Sequence, residues 1–428
     1  MAGASRSKAA GKTALSGRRR RPAPKCRMIF LSVVLFLTVG AHFMLYRFTL
    51  RWLEIAHPAV RVGMLVGFML LAVSFIAAFF LLRWDENPLT IGFYKASAVW
   101  FALFVKLSLA IGAAWLVYGL FWAAGSTAVS FRTLGAVCVA LGLGWAAFGF
   151  WSTFRPVTTH VALALDHLPA SWRGNTIVQL SDVHLGHFHR PAALERLAER
   201  VNALSPDLIV ITGDLFDGMI DGMAEFVPAL RRLKARRGVF FVTGNHEVYA
   251  GQRRCLEMVT AAGIRVLHNE VVDLDGIALM GIAYPGVDDE SAIRGLELTA
   301  PADGRPRPLI LLFHTPSDIR RPTGRDGRSA TYWRPDTSFA LARRLGVALQ
   351  LSGHTHRGQF FPFGLMTNWI YDGYDYGLHR DRGFSIYVSS GVGTWGPPIR
   401  TGAPAEIAVF TLSDSDTGPD RVQNPEPK

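Results

Sequence analysis

Four long apolar stretches lie within the first 152 residues, and they constrain the fold of this chain more than any other feature. A helix needs about 20 apolar residues to cross the hydrocarbon core of a bilayer. Four stretches approach or exceed that length: residues 28–46, 62–82, 99–124 and 133–151. The sequence therefore predicts a transmembrane region of four helices over residues 28–152.

The distribution of charge predicts how these helices are oriented. Of the 45 Lys and Arg residues, a run from Arg6 to Arg27 precedes the first apolar stretch, and no acidic residue interrupts it. Basic segments stay on the cytoplasmic side of spanning helices and contact anionic lipid. We expect residues 1–27 to form a disordered cytoplasmic tail that binds membrane lipid and not nucleic acid. Four spans then return the chain to the cytoplasmic side of an inner or plasma membrane.

One charged residue, Lys106, falls inside the third apolar stretch. A lysine near the end of a span extends its side chain to the membrane surface, and this is the reading that we favour. The alternative is a functional polar site within the membrane, because charged residues there are costly.

After Pro156 the pattern changes to short apolar runs that alternate with helical spacing. Strands alternating with helices are typical of a layered α/β domain, which we place at residues 157–412. The polar residues 413–428 are expected to be a disordered tail. Predicted helices cover residues 192–204 and 223–234, and predicted strands cover residues 176–180, 208–212, 239–243, 276–282, 309–313, 347–351, 384–389 and 406–412.

Polar residues with metal-binding side chains follow five of the predicted strands. The carboxyl ends of strands in an α/β sheet face a common crevice, so these side chains are expected to meet. The residues that follow the strands are Asp182 and His184, then Asp214, then Asn245, His246 and Glu247, then His314, and finally His354 and His356.

Carboxylate, amide oxygen and imidazole are ligands for divalent ions such as Mn, Fe, Zn or Mg. The set contains no cysteine, which excludes an iron–sulfur or thiolate site. Two such ions about 3.5–4 Å apart can hold a phosphoryl group and activate water. Each residue alone is more often a cap or a satisfied polar group, but the five segments together indicate a metal site.

Three segments resemble the calcineurin-like metallophosphoesterase superfamily, and in particular its bacterial membrane-associated branch. They are IVQLSDVHLG at 177–186, QLSGHTH at 350–356 and YVSSGVGTW at 387–395, which Pro398, Ile399 and Arg400 follow. The resemblance covers roughly residues 160 to 412. It implies a four-layer α/β/β/α domain after the four spans, and a metal-dependent phosphoric ester hydrolase.

The resemblance also implies a role for each matching residue. Asp182, His184 and His356 would bind one ion. Asn245, His314 and His354 would bind a second ion, and Asp214 would bridge the two. His246 would contact the phosphate and protonate the leaving oxygen. Asp217 matches a family aspartate that supports the ligands. Glu247 matches no family ligand, and we expect it to hold a ligand in place through a hydrogen bond.

The sequence departs from the family pattern at two positions. Gly218 stands where an arginine often follows the position of Asp217, and Arg357 stands where a glycine usually follows the last histidine. Arg357 either binds substrate phosphate or is simply solvated. Two further histidines, His187 and His189, match no family position and are expected to lie on a surface loop.

Residues 318–336 look like an insertion that is rich in arginine, with Tyr332 and Trp333 among them. Basic and aromatic side chains beside a phosphoesterase site suit an anionic, partly apolar substrate; the alternative is a mobile solvated loop. The whole pattern predicts a membrane-anchored enzyme that uses metal-activated water on a phosphodiester or pyrophosphate of a lipid or lipid-linked substrate. A metal-binding membrane scaffold or signalling module without catalysis is the alternative.

Overall fold

The computed structural model describes residues 24–218, 222–299, 306–321, 334–415 and 421–423, with backbone alone at 24–31, 33, 34 and 421–423. Long helices come first in the chain, and two β-sheets with short helices follow. The long helices are α1 (Pro24–Trp52), α2 (Pro58–Trp84), α3 (Pro88–Ala123) and α4 (Phe131–Thr153). The short helices are α5 (Pro191–Ala203), α6 (Val227–Leu230), α7 (Asn245–Ala250), α8 (Gln252–Ala261), α9 (Ala340–Arg344) and α10 (Phe363–Ile370).

Helices α2, α3 and α4 are long and apolar enough to cross a membrane, which makes three candidate spans among the described residues where four were predicted. The first predicted span starts in the part of α1 whose side chains lie outside the described set. The predicted basic tail also lies outside it, apart from the backbone of residues 24–27. A tight turn joins α2 to α3. Asn87 in this turn caps α3, because its Oδ1 accepts hydrogen bonds from the backbone N–H groups of Leu89 and Thr90.

Two sheets form the domain that follows the long helices. The first has the strand order β13-β1-β12-β2-β3-β4-β5, and the second has the order β10-β11-β9-β8-β7-β6. The strands of the first sheet are β1 (Val157–Leu165), β2 (Thr176–Leu180), β3 (Leu208–Thr212), β4 (Val239–Val242), β5 (Arg265–Val266), β12 (Glu406–Asp414) and β13 (Arg421–Gln423). Those of the second are β6 (Glu270–Leu274), β7 (Ile277–Ile282), β8 (Leu309–Phe313), β9 (Val347–Ser352), β10 (Gly377–Asp381) and β11 (Phe384–Val388).

The core has three apolar layers, because successive side chains of a strand point to opposite faces. Between the sheets, Ile177 of β2 belongs to the same buried cluster as Leu312 of β8. On the outer face of the first sheet, Val178 packs with Leu194 of α5. On the outer face of the second, strand side chains pack with Leu341 of α9. Helix, sheet, sheet and helix therefore stack in the predicted order.

The observed bounds of β2, β3 and β8 equal the predicted ones, and most other predicted strands differ by a residue or two. The segment predicted as one helix over 223–234 is a 3₁₀ turn, Met223–Phe226, followed by α6. The expected disordered tail needs correction, since β12 continues to Asp414 and β13 pairs with β1. The sequence missed β13 because this strand is short and polar. Residues 416–420 and 424–428 lie outside the described residues.

The domain is packed directly against the long helices. Phe360 and Ile399 share a buried cluster with Ala102 of α3 and Ala146 of α4. Lys106 does not end in water, as a lysine that extends to the membrane surface would. Its side chain is fully buried, and Nζ donates a hydrogen bond of 2.9 Å to the backbone oxygen of Phe361. The ammonium group of Lys106 is therefore stabilised by the Phe361 carbonyl and by the face of the Trp145 ring, whose centre lies 4.1 Å from Nζ.

Candidate metal centre

The two sheets bring the predicted strand ends to one place. Strands β2, β3 and β4 run parallel to one another, as do β8 and β9, so each set delivers the residues after it to one edge. The metal-binding side chains there are buried. Within the described residues they include a first donor group, Asp182, His184 and His356, and a second donor group, Asp214, His314 and His354; the ligand atoms of each lie within 4.8 Å of one another.

The first donor group joins the end of β2 to the loop after β9. His184 Nε2 lies 3.0 Å from His356 Nε2, and His356 Nε2 lies 3.3 Å from Asp182 Oδ1. Asp182 also accepts a 2.6 Å hydrogen bond from the Ser181 hydroxyl, which fixes its carboxylate. Two imidazole nitrogens and one carboxylate oxygen thus converge on a single point.

The second donor group joins β3 to β8 and β9. His314 Nε2 lies 3.2 Å from Asp214 Oδ2 and 3.1 Å from His354 Nδ1. Asn245, the first residue of α7, places Oδ1 3.0 Å from the same His314 nitrogen. His314 Nδ1 lies 2.8 Å from the carbonyl of Thr212, which fixes the orientation of the ring.

His246 lies beside both donor groups. Its ring packs edge-on against His184, with ring centres 4.6 Å apart, and its Nε2 lies 3.9 Å from Asp214 Oδ2. Its Nδ1 donates a 2.7 Å hydrogen bond to the backbone oxygen of Asp217. Burial lowers the pKa of His246, but the charges of Asp214 and Asp217 outweigh it, so the pKa is raised above its usual value. These carboxylates therefore favour the protonated form of the ring.

Two acidic residues, Asp217 and Glu247, lie beside the donor groups. Asp217 Oδ1 lies 3.5 Å from His184 Nδ1. Glu247 is fully buried, and its carboxylate accepts hydrogen bonds from the backbone N–H groups of Gly244, Asp214 and Phe216 at 2.7, 2.9 and 3.1 Å. Glu247 therefore joins the turn after β3 to the turn after β4.

The backbone of five donors adopts a left-handed conformation that side-chain-bearing residues rarely take. Such strain is characteristic of functional sites, where the surrounding fold must hold it in place. The φ angles are +52° at Asp182, +48° at His184, +50° at Asp214, +72° at His354 and +49° at His356. A neighbouring glycine, Gly353, is needed for another reason, since an added Cβ would collide with Ser181 and with the carboxylate of Asp182.

The protonation states of the first group suit a metal ion. Burial lowers the pKa of His356 to about 4, so its ring is neutral near pH 7. For Asp182, burial alone would raise the pKa, but the charges of His356 and His314 hold it below its usual range. An ionised carboxylate and neutral imidazole are the forms that coordinate metal.

The second group is mixed. Burial, followed by the charge of His314, lowers the pKa of His354 to about 3. Burial also opposes a charge on His314, but the neighbouring Asp214 carboxylate raises the pKa of His314 to about 9. A metal ion in this group must therefore displace a proton from His314 at neutral pH.

Arg400 is a site residue to which the sequence gave no role, although it lies in a stretch that resembles the family. Its side chain is fully buried, and one guanidinium nitrogen lies 3.1 Å from His356 Nδ1. The guanidinium also donates hydrogen bonds to backbone oxygens of Ser390, Gly393 and Pro404. Burial lowers the pKa of Arg400 to about 10. The fold places this buried cation beside His356 Nδ1, the ring nitrogen on the far side from the other donors.

Tyr249 was also missed. Its side chain is 54% exposed and its ring centre lies 5.6 Å from that of His246, so it lines the approach to the donor groups. The sequence gave no reason to select Tyr249, because a single aromatic residue two positions after Glu247 has no pattern of its own.

The surface-loop expectation for His187 and His189 is wrong, because both side chains are buried. His187 Nε2 lies 3.8 Å from Glu86, in the turn between α2 and α3. His189 Nε2 lies 3.1 Å from the Thr394 hydroxyl, and its ring packs on Phe154. The loop that carries two metal donors therefore also attaches the domain to the long helices.

Arg357 is exposed and its guanidinium lies over the ring of Tyr376, 4.8 Å from the ring centre. The aromatic contact gives the side chain a position of its own, so it is not simply solvated. In the arginine-rich segment, Arg321 forms an exposed ion pair with Asp288. The part of the segment at residues 322–333 lies outside the described residues, and with it Tyr332 and Trp333.

The donor chemistry fits divalent metal ions. In each group two imidazole nitrogens face each other at about the distance of a hydrogen bond, and a carboxylate stands beside them. The buried Nδ1 of His184 makes no hydrogen bond. Nitrogen and oxygen donors gathered away from water, without thiolates, are typical of Mn, Fe, Zn or Mg sites.

Comparisons with known proteins agree with this geometry. A family model described as calcineurin-like phosphoesterase matches residues 176–358. An uncharacterized metallophosphoesterase of Helicobacter pylori is 33% identical over 285 residues, which are 66% of this chain and 70% of that protein. A Danio rerio transmembrane protein with metallophosphoesterase domain is 32% identical over 279 residues, 61% of this chain and 58% of its own length. An uncharacterized metallophosphoesterase of Bacillus subtilis is 28% identical over 305 residues, 67% of this chain and 95% of its own.

Two sheets with aspartate and histidine donors at their common edge define a metal-dependent phosphoester hydrolase. The chain belongs to the calcineurin-like metallophosphoesterase family.

Proposed function

We propose that this protein is a membrane-anchored phosphoesterase that holds two divalent ions and hydrolyses a phosphodiester or pyrophosphate of a lipid or lipid-linked substrate. The adjacency of the two donor groups is the observation that carries the proposal. The backbone N–H of His354, in the second group, donates to both carboxylate oxygens of Asp182, in the first, at 3.0 and 3.1 Å. Two ions bound in such neighbouring groups can contact the same phosphate.

The donors divide between the two ions by their positions. Asp182, His184 and His356 would hold one ion, and Asn245, His314 and His354 would hold the other. Asp214 is the shared ligand in this proposal. When bound, the ions supply positive charge to the phosphoryl oxygens and lower the pKa of water.

His246 supplies the proton for the leaving oxygen. Its Nδ1 is already engaged by the carbonyl of Asp217, so Nε2 is the nitrogen that faces the donor groups. A pKa raised above the ordinary histidine value favours the protonated form of this nitrogen, which a general acid requires. Tyr249 and Arg357, on the exposed side, are placed to contact the rest of the substrate.

The contact between domain and helices supports a substrate from the membrane. The loop with Asp182 and His184 continues to Phe188, whose ring packs on Tyr94 of α3 at 6.0 Å between ring centres. The metal centre is thus fixed close to helices of membrane-spanning length. The basic N-terminal residues favour the cytoplasmic side of an inner or plasma membrane.

The test is hydrolysis by full-length protein in phospholipid vesicles with added manganese. The substrates are a vesicle phospholipid, bis(4-nitrophenyl) phosphate and 4-nitrophenyl phosphate. We expect metal-dependent turnover that Asp214→Ala abolishes and that His246→Ala lowers by roughly 10²–10⁴-fold, the usual contribution of a general acid.

Asp166→Ala and His160→Ala serve as matched controls, because both side chains are exposed on the same domain and outside the metal centre. Both should retain full turnover. Folded, metal-bound protein that hydrolyses none of the substrates with any divalent ion would support the scaffold alternative. Turnover of soluble esters alone would remove the lipid substrate from the proposal.

A further inference from the structure

We infer that α10 and the residue pair before it insert into the bilayer at the boundary between headgroups and acyl chains, beside the metal centre. The inserted surface, which we call the α10 face, consists of Phe361, Phe363, Leu365, Met366 and Trp369. Insertion would bring a lipid substrate to the metal centre, and this consequence rests on the proposed function. Its occupant is the phospholipid of the membrane.

The α10 face is exposed and apolar. Leu365 is 70% exposed and Trp369 is 77% exposed, and the other three side chains are also exposed. Several exposed apolar side chains on one short segment mark an interaction site, since their contact with water is unfavourable.

The opposite side of α10 is fixed to the domain by polar contacts. The carboxylate of Asp375 accepts hydrogen bonds from the Thr367 hydroxyl at 3.0 Å and from the Asn368 amide at 2.9 Å. Ile370 is buried at the end of the helix. The helix is therefore held in place while its apolar side chains face outward, as in helices that lie in a membrane interface.

Continuity with the candidate spans identifies the occupant. The ring of Phe361 packs against Trp145 of α4 with 5.8 Å between ring centres, and its carbonyl accepts the hydrogen bond from Lys106 of α3. Both partners lie inside helices that are apolar enough to cross a membrane. Further along α4, the side chain of Trp151 is 51% exposed. The α10 face thus begins at the level of the apolar helices and extends their membrane-facing surface.

The same element reaches the metal centre. Tyr371 follows α10 directly, and its ring centre lies 6.1 Å from that of His354. The backbone oxygen of Asp375 accepts a 2.6 Å hydrogen bond from Thr355, the residue between the donors His354 and His356. A phospholipid that meets the α10 face from within the bilayer therefore arrives beside the ligands of the metal ions.

Insertion is tested by spin-label depth measurements on full-length protein in phosphatidylcholine–phosphatidylglycerol vesicles. Cys26 and Cys138 are first replaced by serine, and the buried Cys255 is kept. Single labels are attached through Leu365→Cys and Trp369→Cys. Arg253→Cys is the control, because the Arg253 side chain is 94% exposed on α8.

We expect both α10 labels to collide with dissolved oxygen more than with a water-soluble nickel complex, and the control label to do the reverse. Labels at 365 and 369 that are as open to nickel as the control would overturn the inference. Labels shielded from both reagents would overturn it too, because they would indicate a protein partner or a second copy of the chain.

The consequence is tested with Leu365→Gln and Trp369→Gln, which alter exposed side chains alone. We expect each to lower hydrolysis of vesicle phospholipid by roughly tenfold and to leave turnover of bis(4-nitrophenyl) phosphate within about twofold, because only membrane access is changed. Equal losses on both substrates contradict a role in lipid access. If the unaltered protein hydrolyses neither substrate, the proposed function fails, while the depth measurement still decides insertion.

Discussion

The two donor groups of the metal centre use the same kinds of side chain in different surroundings. Behind the first group, the buried guanidinium of Arg400 lies against His356 Nδ1. Behind the second group, the buried carboxylate of Glu247 accepts the N–H of Asp214. The first group is therefore bordered by a positive charge and the second by a negative charge, although the donors of both groups follow the carboxyl ends of strands.

The two groups also differ in which histidine carries a proton, for reasons that lie within each group. Burial holds the pKa of His356 at about 4, whereas the Asp214 carboxylate raises the pKa of His314 to about 9. At neutral pH the ring of His356 is already neutral, whereas His314 must lose a proton before it can bind a metal ion. The comparison shows that burial and a nearby carboxylate, and not the type of side chain, set the pKa values of these two histidines.

The largest effect is expected from removal of one carboxylate in each group. Asp214→Ala should lose both ions, because Asp214 is proposed to bridge them, whereas Asp182→Ala should retain one. Turnover should fall in both variants by more than about a hundredfold, beyond the usual effect of losing an outer partner. Metal content per chain after desalting, measured by mass spectrometry, checks this, with Asp166→Ala as control. Retention of one ion by both variants would show that Asp214 is not a bridge.

The next effect is on pH dependence. Below pH 9 a metal ion competes with the proton on His314, so the affinity of the second group should rise by nearly tenfold per pH unit and level off at the pKa, about fiftyfold in all from pH 7 to 9. The first group, whose His356 is already neutral, should change far less over this range. Competition with a fluorescent chelator at pH 7, 8 and 9 measures both affinities. The same pH slope at both sites would contradict the assigned difference.

The smallest effect is expected at the acidic neighbour of the second group. Glu247→Gln replaces one carboxylate oxygen with an amide NH2 group, which cannot accept a hydrogen bond. Either the N–H of Phe216, now bound to Oε1, or the N–H groups of Asp214 and Gly244, now bound to Oε2, then lose their acceptor. We expect about 10–100-fold weaker binding of the second ion, the usual result of removing an outer partner, with the first ion unaffected. Glu406→Gln is a matched control, since Glu406 is as buried and binds Tyr387 and Thr159 instead. Equal weakening of both ions by Glu247→Gln would sink the assignment.

Much of the domain follows from local sequence. The bounds of β2, β3 and β8 were predictable, because each is a short, mainly apolar run that ends at a polar turn. The donors that follow these runs converge as predicted, since strand direction alone determines the edge at which they lie. The edge strand β13 was missed for the opposite reason, as it is short and polar and depends on pairing with β1.

The helices illustrate the limit of local sequence. Composition identified the apolar stretches but gave the wrong environment for Lys106, whose partner is the carbonyl of Phe361 far along the chain. His187 and His189 were misplaced for the same reason, because the α2–α3 turn and Thr394 that cover them are remote in sequence. Burial by distant segments leaves no local pattern.

The sequence by itself therefore determined the ligand types, their order along the chain and the apolar helices, because these depend on side-chain chemistry and on the periods of strand and helix. The tertiary structure alone decided that Arg400 borders one donor group, that the ligand loops pack on the long helices, and that the α10 face lies exposed beside them. These features are long-range contacts, and the charges and apolar surfaces that meet in them become neighbours only when the two sheets and the helices have packed together.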